Sequence, residues 1–167
     1  MKLTSKLRGL GVFFFVQFNH RKGNAICTIT KILFRKISMD SYSYYNPNPH
    51  GKHVGDCAVR ALSKALNQDW DKTYLWICIY GFIYKDMPNG NAVWGLYLKD
   101  KGFTRHIIPD TCPDCYTLEE FCREHPNGTY IVVLSNHVVC VIDGKSYDSW
   151  DSTSETAIYY WSRKENK

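Results

Sequence analysis

Between Gly55 and Leu66 the apolar residues fall at Ala58, Ala61, Leu62, Ala65 and Leu66. That i, i+3, i+4, i+7, i+8 recurrence predicts a helix with one buried face. Gly55 permits a sharp turn ahead of it, and Asp56 is a suitable N-cap whose carboxylate accepts from the free N–H groups of the first turn. A second helical pattern runs from about Trp70 to Lys85, capped by Asp69, with Trp70, Tyr74, Ile77, Cys78 and Gly81 on a core face. After the Met87-Pro88-Asn89-Gly90 turn, Asn91 to Lys101 reads as a third helix, closed by Gly102. Phe103 to Ile108 reads as a short strand. Thr117 opens a capped helix that turns Leu118, Phe121 and Cys122 to the core.

The pattern then changes period. Thr129 to Leu134 and His137 to Ile142 are β-branched runs separated by Ser135-Asn136. Asp143-Gly144 marks a tight hairpin, Lys145 to Trp150 a third strand and Ala157 to Ser162 a fourth. The expected fold is α+β, with N-terminal helices packed on a C-terminal antiparallel sheet. Ser41 to Gly51, with Pro47 and Pro49, is expected to be an irregular loop, because each X-Pro step forces extended or turn backbone.

Composition changes this picture at one end only. Residues 1–38 carry eight Lys/Arg and no Asp or Glu, whereas 39–167 carry 13 basic against 16 acidic residues, a net −3. The globular part therefore offers no basic face for nucleic acid. The apolar run Gly9 to Phe18 is about half the length a bilayer span needs. Its flanking charges resemble a secretory signal, but Arg21-Lys22 follow it directly and no small-x-small site lies there. Such a segment also suits a membrane surface. The expectation is a basic, apolar leader or spurious extension over 1–38, with Met39 as the true start and a single domain over 39–167. Seven irregularly spaced cysteines point to reduced thiols in a cytoplasm.

Three positions carry candidate chemistry. Cys57 starts a helix, where the dipole and unpaired amides favour the thiolate. Asp56 opposes that effect, so a cationic partner is needed. His137 starts a strand at the sheet end, where a helix N-terminus can meet it, and Asp148 lies across the Asp143-Gly144 turn within reach of the imidazole. A cationic imidazole stabilises a thiolate and later protonates a leaving group, while an acid fixes the tautomer. Asn46 or Asn48 is a candidate oxyanion donor alongside the Cys57 N–H, although Asn-Pro pairs also simply make turns. Asp151 is a second choice for the acid, placed by strand alternation on the opposite face from Asp148.

These residues resemble the papain-like cysteine peptidases. Asn136-His137-Val138-Val139 through Asp143-Gly144 resembles the Asn-His-Ala-Val…Gly stretch around that family's histidine, and Asp148-Ser149-Trp150 its Asn-Ser-Trp. Residues 39–167 look like a minimal version of the fold, similar to small papain-like proteins of bacterial and phage genomes. The resemblance implies Cys57 as nucleophile, His137 as acid/base, Asp148 as orienter and Trp150 as shield, acting on a peptide or protein substrate. It departs at Gly51, where the family's oxyanion glutamine usually stands, and in lacking Gly-Ser-Cys-Trp. Asp56-Cys57-Ala58-Val59-Arg60-Ala61-Leu62 is closer to the Asn-Cys-Leu-Phe-Arg-Ala-Leu of ovarian-tumour-type deubiquitinases.

The expected activity is hydrolysis of a peptide or isopeptide bond through an acyl-enzyme, a chemistry that requires neither metal nor cofactor. Alternatives are a transglutaminase-like acyltransferase on the same triad and a non-catalytic interaction module of the same fold. A zinc-stabilised domain on Cys112, Cys115, Cys122 and His125, with His106 close by, is a further one.

Overall fold

A computed structural model describes residues 40–109 and 113–163 in full and residues 12–21 and 24–33 by backbone alone. The chain divides into two compact units, Met1–Met39 and Asp40–Lys167. In the first, β1 (Val12–Arg21) pairs antiparallel with β2 (Asn24–Leu33), Arg21 standing opposite Asn24. Val12 to Phe18 of the apolar run thus lies in a strand, consistent with its Val and Phe content and with the Ile and Thr of its partner.

The second unit is α+β, with helices packed on a six-stranded mixed sheet. Its strands are β3 (Tyr42–Tyr44), β4 (Phe103–Ile107), β5 (Thr129–Leu134), β6 (Val138–Ile142), β7 (Lys145–Asp148) and β8 (Ala157–Arg163), in the order β3-β7-β6-β5-β8-β4. The helices are α1 (Cys57–Leu66), α2 (Trp70–Tyr84), α3 (Asn91–Asp100) and α4 (Leu118–Glu124).

The sheet is not wholly antiparallel as expected. Tyr42-Ser43-Tyr44, read as loop, adds to the edge parallel to β7, with Tyr44 opposite Asp148. The proline constraint begins only at Asn46-Pro47, so the preceding alternating residues are free to extend. Beyond β3 the segment is irregular, as expected.

Both faces of the central strands are buried, and period-two alternation divides them. Ile131 and Val133 of β5, with Val138 and Cys140 of β6, meet Ala58, Ala61 and Leu62 of α1. Val132, Leu134, Val139 and Val141 point the other way, to Leu118, Phe121 and Cys122 of α4. This explains why those strands read as near-continuous apolar runs. α4 starts with a full capping box, Thr117 accepting from the Glu120 N–H and Glu120 from the Thr117 N–H.

The β6–β7 hairpin turns through Asp143 (φ 50°) and Gly144 (φ 75°). A Cβ on Gly144 would stand 2.9 Å from the Cys122 carbonyl oxygen, so glycine there allows the hairpin to sit against α4. α2 departs from expectation: only Thr73, Ile77 and Gly81 are buried. Tyr74, assigned to the core face, is half-exposed and stacks on Trp70 with ring centroids 4.8 Å apart.

Candidate active site

Cys57 is the first residue of α1, so its side chain and amide stand at the positive end of that helix. Asp56 occupies the N-cap position but makes no side-chain cap bond there. The carboxylate turns inward instead, pairing with the Arg60 guanidinium one helical turn on and accepting from Trp70 Nε1 at 2.8 Å. The N-cap bond expected of Asp56 is thus replaced by a buried ion pair. The acidic neighbour that opposes a thiolate on paper is neutralised in place. Nor are the first-turn amides blocked by it.

His137 lies immediately before β6, in the tight β5–β6 connection closed by a Leu134 N–H to His137 carbonyl bond of 2.9 Å. Its Nε2 is bonded to Asp148 Oδ2, which leaves Nδ1 for the Cys57 thiol. Asp148 ends β7 and is 2% exposed. Burying a carboxylate so completely is costly without partners, and this one is well supplied. Oδ2 also accepts from Ser152 Oγ at 3.1 Å, while Oδ1 accepts from the Ser149 N–H at 2.7 Å and from Arg60 Nη2 at 3.3 Å. Its carbonyl receives the Tyr45 N–H at 2.7 Å. The indole of Trp150 tilts over His137 with centroids 5.2 Å apart, its outer part open to solvent.

The electrostatics follow from this packing. Burial pushes the Cys57 thiol up, but the hydrogen bond and charge of His137, the Val138 N–H and the Arg60 charge together bring it below its ordinary value. Burial pushes His137 down, yet its bonds to Asp148 and Cys57 outweigh this and raise it to about 9. The arrangement thus shifts the pair toward thiolate beside imidazolium.

A cavity of about 370 Å³ opens on this pair, lined among others by Gly55, Cys57, Asn89, Asn91, Asn136 and His137. Asn46 and Asn48, the expected oxyanion donors, do not line it. Asn46 Oδ1 accepts from the Asn48 N–H at 3.1 Å and its Nδ2 donates to the Lys52 carbonyl at 3.3 Å. Asn48 Oδ1 accepts from the His50 N–H at 3.0 Å. These side chains satisfy the backbone of their own proline-constrained loop, the turn-forming role of such residues. Gly51 is likewise exposed loop. Asp151, the second-choice acid, is exposed and accepts from Thr153 Oγ1 at 2.6 Å.

Of the zinc candidates, Cys112 lies outside the described residues. Cys122 is buried in the α4 core, where burial raises its thiol to about 12, and His125 stacks on Phe121 with centroids 3.9 Å apart. Among the described residues no three His, Cys, Asp or Glu side chains gather as a metal group. Nor is any described helix long and apolar enough to cross a membrane.

Sequence reasoning gave Arg60, Ser152, Ser149 and Trp70 no part in holding the triad. For Arg60 the i, i+4 spacing from Asp56 was a usable signal. The others become visible only when β7 and α1 meet. Comparison with protein-family models, curated proteins and solved structures found no match.

Proposed function

We propose that residues 40–163 form a thiol acyl-hydrolase, with Cys57 as nucleophile, His137 as acid and base, and Asp148 orienting the imidazole. More particularly, the reading is a papain-like cysteine peptidase that cleaves peptide or isopeptide bonds. The observation that carries it is the hydrogen-bonded series Cys57–His137–Asp148 at the wall of an open cavity, with the thiol lowered and the imidazole raised. Attack of the thiolate on a carbonyl forms a thioester, and the imidazolium gives its proton to the leaving amine. The neutral imidazole then takes a proton from water as its oxygen attacks the thioester carbonyl; the C–S bond breaks, releasing the acid and restoring the thiolate–imidazolium pair. The Cys57 N–H, at the first turn of α1, is the donor assigned to the developing oxyanion, and Asn89, Asn91 and Asn136 are the asparagines that line the cavity. Trp150 keeps water from one side of the imidazole.

The test is covalent capture. A peptidyl fluoromethyl ketone is expected to add one equivalent at Cys57, located by peptide mass mapping, and to leave Cys78, Cys115, Cys122 and Cys140 unmodified. Adduct formation should rise through the lowered thiol pKa and decline above about pH 9, where His137 loses its proton. Absence of any Cys57 adduct across that range sinks the hydrolase reading and leaves a non-catalytic module. The acyltransferase alternative is separated by adding an amine during turnover of a peptide ester. Products that are mainly amide rather than acid place the chain with the transferases.

A further inference from the structure

A larger cleft, about 570 Å³, lies between α3 and the β4–β8 edge, and Asn91 lines both it and the cavity at Cys57. The two are therefore neighbours across the first residue of α3. The walls of the cleft are sharply unlike the rest of the domain in charge. Lys99 of α3 and Arg105 of β4 line it, and no carboxylate does, although 39–167 as a whole carries more acid than base. Among the described residues neither cation makes an ion pair. The floor is aromatic. Arg105 stands opposite Trp161 in the strand register and holds its guanidinium 4.1 Å from the Tyr159 ring centroid. Gly95 permits this floor to approach the helix: a Cβ there would stand 3.1 Å from Trp161 Cζ2.

Resting on the hydrolase reading, we infer that this cleft recognises an acidic residue of the substrate peptide near the bond presented to Cys57. Its carboxylate pairs with Lys99 and Arg105, and its methylene groups lie on the tryptophan and tyrosine rings. A planar guanidinium fixed over a ring is preorganised for a carboxylate, and two cations without a counter-charge gain most from an anionic ligand.

The experiment uses the full chain carrying Cys57→Ala and a fluorescein-labelled pentapeptide with glutamate at alternate positions, against its glutamine twin, read by anisotropy. The glutamate peptide is expected to bind at least tenfold more tightly, with the gap narrowing as salt rises. Lys99→Glu with Arg105→Glu should close the gap, and the milder Lys99→Gln with Arg105→Gln should shrink it. All four changes fall on exposed side chains. Equal affinity of the two peptides overturns the inference. So does a gap that survives charge reversal, since the basic 1–38 stretch would then hold the peptide. Iodoacetamide alkylation of wild-type Cys57, measured in parallel, tests the hydrolase reading alone: a slow, ordinary thiol beside an intact glutamate preference leaves the cleft and removes the enzyme.

Discussion

Replacing His137 by alanine is expected to slow iodoacetamide alkylation of Cys57 by about 10- to 100-fold at pH 6.5. An ordinary thiol of pKa about 8.5 is only about 1% thiolate there, whereas pairing with His137 lowers the Cys57 thiol and enlarges that fraction, partly offset by the weaker nucleophilicity of a low-pKa thiolate. Turnover should fall further, on the order of 10⁴-fold or more, because the imidazole also protonates the leaving group and activates water. Proton linkage gives a second readout. The raised pKa of His137 contributes stability that is complete below about pH 6.5 and is lost as pH rises through about 9. The lowered pKa of Cys57 contributes stability that is complete above its ordinary value and is lost as pH falls through the lowered one. The His137 contribution falls from about pH 6.5 to 9 and the Cys57 contribution rises from its lowered pKa to its ordinary one, so the two trends oppose wherever these windows overlap. The Cys57 contribution by itself makes stability drop with acid as pH falls through the lowered thiol pKa. In His137→Ala the part of that acid slope due to Cys57 should vanish. Urea midpoints measured from pH 5 to 9 check it, and an unchanged slope refutes the ion pair.

Arg60→Met should be the most damaging substitution for the fold itself, lowering stability by about 3–5 kcal/mol. The guanidinium is buried and touches two buried carboxylates, Asp56 and Asp148. Its removal leaves Asp56 without a cation and Asp148 with the His137 imidazolium alone. Among the described residues, Asp148 retains His137, Ser149 and Ser152 as partners of its side chain, whereas Asp56 retains Trp70 alone. The uncompensated Asp56 charge, one residue from Cys57, should also push the thiol back up. Adding Asp56→Asn to Arg60→Met removes that charge and is expected to restore a good part of both losses. A double-mutant cycle by chemical denaturation measures the coupling. Additive effects would show that Arg60 acts through packing alone.

The sequence made some of this legible for identifiable reasons. Cys57 and the apolar stripe at 58, 61 and 62 announce the start of α1. Asp143-Gly144 announces the hairpin that brings Asp148 back beside His137, and Thr117 the cap of α4. Such signals are local, each decided within one element or one turn. What the chain conceals is decided by pairing across long separations. The insertion of β8 between β5 and β4 and the parallel edge pairing of β3 have no short-range signature, since a three-residue strand is too brief to show a period. Asn46 and Asn48 misled because an amide three-dimensionally close to a thiol and an amide closing its own loop look alike in one dimension. Asp56 misled for the complementary reason: its charge is legible, but the cation that cancels it has to be folded into place.

The placement of Cys57 against His137, 80 positions away along the chain, gives the protein two opposite thiol signals of its folded state. In the unfolded chain Cys57 is an ordinary thiol, far from its imidazole, and at neutral pH it becomes slower to label. Cys122 and Cys140, whose thiols burial pushes up in the native core, become faster. A partial opening that lifts α1 from the sheet would silence Cys57 while Cys122, on the α4 side, stays protected. Global unfolding would exchange the two signals together. Pulse labelling along a denaturant series therefore reads, from native cysteines alone, whether the two sides of the sheet let go as one unit.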